Sequence, residues 1–156
     1  MKNKGIILSL VILTFFFSGC SWLETFILKN NLDTDVMVTY ELDRQSKTHG
    51  IFRSKPTAYS LDNSGEINWN KNINCIDIDT SVYNIQIILP ANSALDLGSL
   101  DNSEYISSKE NESDFNLITM SFEFNNQLLE IDSENFDTYF KKRENGNIEY
   151  TIQKAK

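Results

Sequence analysis

The chain has 156 residues, of which 40% are hydrophobic, 23% charged and 12% aromatic, and its 14 basic and 22 acidic side chains give a net charge of −8. That length suits one ordinary domain around a single core. The acidic balance argues against a nucleic-acid partner and against unaided adhesion to anionic lipid, both of which need clustered cations.

Met1-Lys2-Asn3-Lys4-Gly5 carries two lysines and the terminal amine, and Ile6 to Phe17 then places ten apolar residues in twelve, broken only by Ser9 and Thr14. A charged start followed by a short apolar run is the layout of a secretory signal peptide. As a helix these twelve residues span about 18 Å against a hydrocarbon core of about 30 Å, too short to cross unaided. Extending the run to Leu23 reaches about 27 Å, but only by putting Ser18, Gly19, Cys20 and Ser21 into the bilayer.

Phe17-Ser18-Gly19-Cys20 resembles the lipobox of bacterial lipoproteins, in which small residues precede an obligatory cysteine. The resemblance covers the first twenty residues, and Phe17 stands where leucine is usual. It implies cleavage between Gly19 and Cys20, diacylglycerol on the Cys20 thiol and an acyl chain on its new amine. Two or more acyl chains, at about 0.8 kcal/mol per buried methylene, make a stable tether. In Gram-negative members an aspartate after the cysteine retains the protein in the inner membrane; Ser21 stands there, which favours the outer membrane. The expected layout is a signal peptide over 1–19, a lipid-anchor tether over 20–24 and one domain over 25–156. Loss of Lys2 and Lys4 leaves 12 basic against 22 acidic side chains, a net −10. Cys75 is then the remaining thiol, so no disulfide within the chain is expected, and it reads as a small core residue.

Within the exported part, a strand is expected from about Thr25. After the turn formers Asn30 to Asp35, Val36, Val38, Tyr40 and Leu42 alternate with more polar neighbours, so the two segments read as a hairpin. Arg44, Lys47, His49, Arg53 and Lys55 then form a basic stretch inside an acidic protein. It reads as a loop ending at Pro56, either meeting an anionic partner such as a glycan or acidic peptide, or balancing neighbouring acids. Strands are expected at Ala58 to Leu61, at Glu66 to Asn70 beyond the Asn63-Ser64-Gly65 turn, at Ile73 to Ile78 and at Val82 to Leu89, the most apolar run. Pro90 stops the last of these, because proline cannot donate to a ladder, and Ala94 to Leu100 offers a return strand.

Asp101 to Asp114 is polar, with only Tyr105 and Ile106 to bury, and reads as a mobile surface loop. Alternation resumes from Phe115 to Phe124 and, after a turn at Asn125-Asn126-Gln127, from Leu128 to Asp132. Phe136, Tyr139 and Phe140 stand at helical spacing, capped by Ser133 or Asp132; the alternative makes Tyr139 to Arg143 a strand. Asn145-Gly146 signals a tight turn before a last strand at Ile148, Tyr150 and Ile152. The expected fold is an all-β antiparallel β-sandwich, immunoglobulin-like or transthyretin-like, of seven to nine strands with one short helix near the C-terminus; the alternative is a small β-barrel.

Catalytic motifs are missing: the lone histidine, His49, has no nucleophile elbow near it, and no phosphate loop, His-Glu-x-x-His or cysteine cluster occurs. Asp77 and Asp79 share a strand face and Asp33 and Asp35 share a turn, but neither stretch has the spaced acidic loop of a calcium site. No catalytic residue, metal or cofactor is therefore expected. The leading expectation is a non-enzymatic envelope lipoprotein that binds a protein or glycan, with two alternatives: an inhibitor of a hydrolase such as lysozyme, and an envelope hydrolase working through two carboxylates.

Overall fold

The computed structural model describes residues 23–44, 50–80, 83–101, 103–124 and 127–153. Among them are eleven strands: β1 (Leu23–Asn30), β2 (Val36–Leu42), β3 (Phe52–Leu61), β4 (Ile67–Ile73), β5 (Ile76–Thr80), β6 (Asn84–Leu89), β7 (Ser93–Asp101), β8 (Leu117–Phe124), β9 (Gln127–Asp132), β10 (Lys141–Lys142) and β11 (Ile148–Ile152). One helix, α1 (Phe136–Tyr139), sits near the C-terminus. They form a six-stranded sheet in the order β10-β11-β1-β7-β3-β4 and a five-stranded sheet in the order β5-β6-β2-β8-β9. The all-β sandwich is as expected, and neither sheet closes into a barrel. The strand count exceeds seven to nine partly because of the two-residue β10, which pairs with β11 across the Asn145-Gly146 turn.

Period-two alternation makes the core. Val36, Val38, Tyr40 and Leu42 of β2, Ile85, Ile87 and Leu89 of β6, and Met120 and Phe122 of β8 turn inward. They meet Phe26 and Leu28 of β1, Leu95 and Leu97 of β7, and Ile148 and Ile152 of β11, all buried. Burying each such side chain contributes about 1.5–3 kcal/mol. Cys75 lies half-buried against this core. β1 begins at Leu23, two residues inside the expected tether, and from Glu24 onward nearly every residue of it is buried on either face.

Two corners differ from the expected hairpins. β1 and β2 belong to different sheets, as do β6 and β7, so both connections cross the sandwich. The reason lies in Asn30, fully buried at the end of β1. Its Nδ2 donates to the carbonyls of Thr34 (2.9 Å), Leu89 (3.2 Å) and Pro90 (2.9 Å), and its Oδ1 accepts from the Leu32 amide (3.1 Å). Asp35 Oδ1 adds an acceptor for the Ala91 amide at 3.0 Å. The two corners are thus stitched to each other, and neither strand can fold back on its predecessor.

The pairing of β1 with β11 is parallel, Phe26 facing Ile148 and Asn30 facing Ile152, whereas the other pairs are antiparallel. The last strand therefore returns beside the first, and the Asn31 amide closes the ladder on the Ile152 carbonyl at 2.9 Å. An antiparallel expectation misses this because adjacency of the two ends is a long-range property.

β3 starts at Phe52, so Arg53 and Lys55 lie on a strand and not in the expected loop, and Pro56 lies inside it. Between the pairs Phe52–Gly98 and Thr57–Asp96, β3 carries four residues against one on β7. This bulge accommodates the proline, whose missing N–H would otherwise break a ladder bond. Tyr40 of the opposite sheet donates its hydroxyl to the Arg53 carbonyl at 2.7 Å, satisfying the bulge from inside. The buried Asn116 amide does the same one residue earlier, accepting from the Phe52 N–H at 2.7 Å and donating to its carbonyl at 2.9 Å.

Across the bulge, Gly98 has φ +152°, and a Cβ there would stand 1.8 Å from the Ile51 carbonyl oxygen. Backbone cannot swing aside as a side chain can. Gly98→Ala is expected to destabilise by about 2 kcal/mol through strain and displacement of β3, and a urea midpoint unchanged from wild type would contradict the close approach.

Candidate binding surfaces

The chain enters the domain over an ion pair between a buried carboxylate and an exposed lysine. The Glu24 carboxylate, fully buried, accepts from the Tyr105 amide at 2.6 Å and from Lys142 Nζ at 2.7 Å, and Lys142 also meets Glu104 at 2.8 Å. The bonds to Glu104 and Glu24 hold the Lys142 ammonium above its usual range. A buried carboxylate persists only when it is paired and hydrogen-bonded, so this cluster ties the start of β1 to the 101–116 segment and to β10. Further along β1, Lys29 Nζ lies 3.1 Å from Glu149, which also accepts from Asn147 Nδ2 at 3.2 Å and has Arg143 at 3.7 Å.

The 101–116 segment is anchored more firmly than its composition suggests. Tyr105 and Ser108 are buried. Tyr105 donates its hydroxyl to Asp137 Oδ1 at 2.5 Å, while Ser108 offers its amide to Asp137 Oδ2 at 3.2 Å and its hydroxyl to the Ser133 carbonyl at 2.6 Å. Burial first, and then the Asp137 carboxylate, push the Tyr105 phenol far above its ordinary range, so it remains a donor. Ile106, by contrast, is exposed.

The described residues of the basic stretch, Arg44, Arg53 and Lys55, have different surroundings. Arg44 follows β2 and stacks its guanidinium over the Tyr83 ring at 5.2 Å. Arg53, on the six-stranded sheet, spends its guanidinium on Asp96 at 3.3 Å and Ser99 Oγ at 3.0 Å. Lys55 is exposed on β3, while Lys47 and His49 lie outside the described residues, as do Gly19 and Cys20. Beside Arg53 is a hollow of about 430 Å³, which Asp101 and Asp114 help to line. Arg53 is therefore a structural cation facing acids.

The environment of Asp96 disfavours its charge. Burial raises its pKa, and the Arg53 charge and the Gly98 N–H offset part of the shift. The folded state then binds the proton more readily than the unfolded chain, so this group favours folding less as the pH rises from the unfolded carboxylate value through the folded one. Asp96→Asn should accordingly be more stable than wild type at neutral pH, with the advantage vanishing on acidification. Urea unfolding of both proteins across that range checks it; an Asn variant weaker at neutral pH would mean the Arg53 pair dominates.

Two larger hollows remain. One, about 660 Å³, lies on the outer side of the six-stranded sheet between the β3–β4 and β10–β11 turns, over Lys29, Glu149 and Thr151. The other, about 610 Å³, lies at the end of the five-stranded sheet, between Asp43, Lys109, Ile118 and Glu134. Among the described residues no three His, Cys, Asp or Glu side chains converge as metal ligands would, and no helix is long and apolar enough to cross a membrane. Comparisons with protein-family models, with curated proteins and with solved structures found no match. Sequence reasoning missed Glu24, Lys29 and Glu149 as interior charges, since nothing in their local pattern distinguishes a paired charge from a solvated one.

Proposed function

We propose that the chain is the precursor of a bacterial envelope lipoprotein whose domain acts as a non-enzymatic binding or structural module. The observation that carries this reading is the sequence Phe17-Ser18-Gly19-Cys20 closing the twelve-residue apolar run Ile6 to Phe17, which Lys2 and Lys4 precede. Cleavage before Cys20 leaves Ser21 and Trp22 between the lipidated residue and Leu23, where β1 begins. The three steps from Cys20 to Leu23 reach at most about 10 Å, so the domain sits close to the headgroups, in the outer membrane where the cell has one.

The non-enzymatic part of the reading is supported by the sequence, which offers no nucleophile, base or phosphate-loop pattern, and by how the interior charges are used. Glu24, Asp96 and Glu149 are each paired with a neighbouring cation within the fold, which suits structural roles better than acid–base chemistry. Radiolabelled palmitate fed to expressing cells tests the tether: label is expected on the wild-type chain and none on Cys20→Ala. Equal labelling of both would sink the proposal, and so would label on neither.

A further inference from the structure

The two layers of the sandwich differ in charge. The strands of the five-stranded sheet contain Glu41, Asp77, Asp79, Glu123, Glu130 and Asp132 and no Lys, Arg or His, whereas those of the six-stranded sheet contain six cations against four acids. Every ion pair among the described residues draws its cation from Lys29, Arg53, Lys142 or Arg143, in the six-stranded sheet or the turn that follows β10. None involves Glu41, Glu123 or Glu130.

The same face has an apolar edge. Register sets Ile88, Met37, Glu123 and Leu128 side by side in one cross-strand row, with Glu130 in the next and Glu41 in the third. Met37 is 41% and Leu128 68% exposed on strands whose alternate residues are buried. Exposed apolar side chains gathered beside charges of one sign are characteristic of interaction surfaces. Among the described residues, cations border the face beyond its strand ends, at Arg44 and Lys109.

We infer that the outward face of the five-stranded sheet docks a protein partner with a cationic surface. Met37 and Leu128 supply the apolar contact, while Glu41, Glu123 and Glu130 steer and pair with the partner's lysines and arginines. Asp132 is left out because its Oδ1 already accepts from the Glu134 and Asn135 amides at 2.8 and 3.0 Å. A glycan would favour exposed aromatic rings, and Trp69, the exposed aromatic among the large apolar side chains of the described residues, lies on β4 of the other sheet. An anionic membrane would be repelled. The inference rests on the binding-module reading and specifies its surface.

A photo-crosslinking amino acid placed at Thr39 or Ser121 of the full chain in cells tests this face, with Tyr59 on the six-stranded sheet as the comparison position. The expected result is a mass-identified adduct from Thr39 or Ser121 to a protein with a basic surface. Its yield should fall about tenfold or more in the Glu41→Gln, Glu123→Gln, Glu130→Gln variant, the range over which electrostatic steering acts. That variant should unfold at the wild-type urea concentration, and Lys55→Gln should leave the yield unchanged. Adducts from Tyr59 alone, a self-adduct or an acidic partner would overturn the docking face while the binding-module reading stands. No protein adduct from either face would overturn both.

Discussion

Phe136→Ala is expected to lower the free energy of unfolding by about 4 kcal/mol, within the range for removing a fully buried aromatic ring. Phe136 belongs to a helix of only four residues, whose Asn135 N-cap makes no side-chain capping bond, so local propensity does not explain why the helix forms. The ring explains it. Its centroid lies 4.3 Å from Phe140 in a stacked pair, 5.1 Å from Phe115, 5.7 Å from Phe52 and 6.1 Å from both Phe26 and Tyr105. These partners come from β1, β3, the 101–116 segment and the residues flanking α1, so one side chain closes the core between them. Phe136→Leu, which keeps most of the volume, should lose about 1.5 kcal/mol. A loss below 1 kcal/mol for alanine, read by equilibrium urea unfolding, would mean that the helix rests on the sandwich without closing it.

Asn30→Ala is expected to cost about 3 kcal/mol, because it strands several buried polar groups at once. Three carbonyls, of Thr34, Leu89 and Pro90, lose their donor and the Leu32 amide loses its acceptor. Asn30→Asp is the sharper test of mechanism. Its carboxylate can still accept from Leu32 but has no proton to offer the three carbonyls, so it should be at least as damaging as alanine at neutral pH and recover partly on acidification. Wild-type stability in the alanine variant would show that the corners hold without this residue.

The sequence makes much of this fold legible, because period-two patterns are local. The inward sets of β2, β6 and β8 stand where alternation puts them, the Asn63-Ser64-Gly65 and Asn145-Gly146 turns join β3 to β4 and β10 to β11, and Phe136 and Phe140 pack inward at helical spacing. What alternation cannot supply is the partner of a strand. Asn30-Asn31-Leu32-Asp33-Thr34-Asp35 reads equally well as a hairpin turn or a corner between sheets, and only the distant Leu89 and Pro90 carbonyls decide it. Pro56 looked like the end of a loop because its bulge depends on Gly98, more than forty residues away in sequence.

The docking face shows the same division between local and long-range information. The acids of β2, β8 and β9 are visible in the sequence, but their segregation from the cations appears only once the strands are assigned to sheets. The basic stretch is the opposite case, since Arg44 and Arg53 are close in sequence yet engage Tyr83 and Asp96, which belong to different sheets or their flanks.

The central claim is that residues 1–19 address the chain to the envelope and that lipid on Cys20 holds it there. The intact mass of the protein purified from membranes tests this most directly. The predicted result is a chain beginning at Cys20, heavier than its sequence by a diacylglyceryl group and an acyl chain, with this lipidated form lost in Cys20→Ala. An uncleaved precursor, or a cleaved chain carrying no lipid, would contradict it.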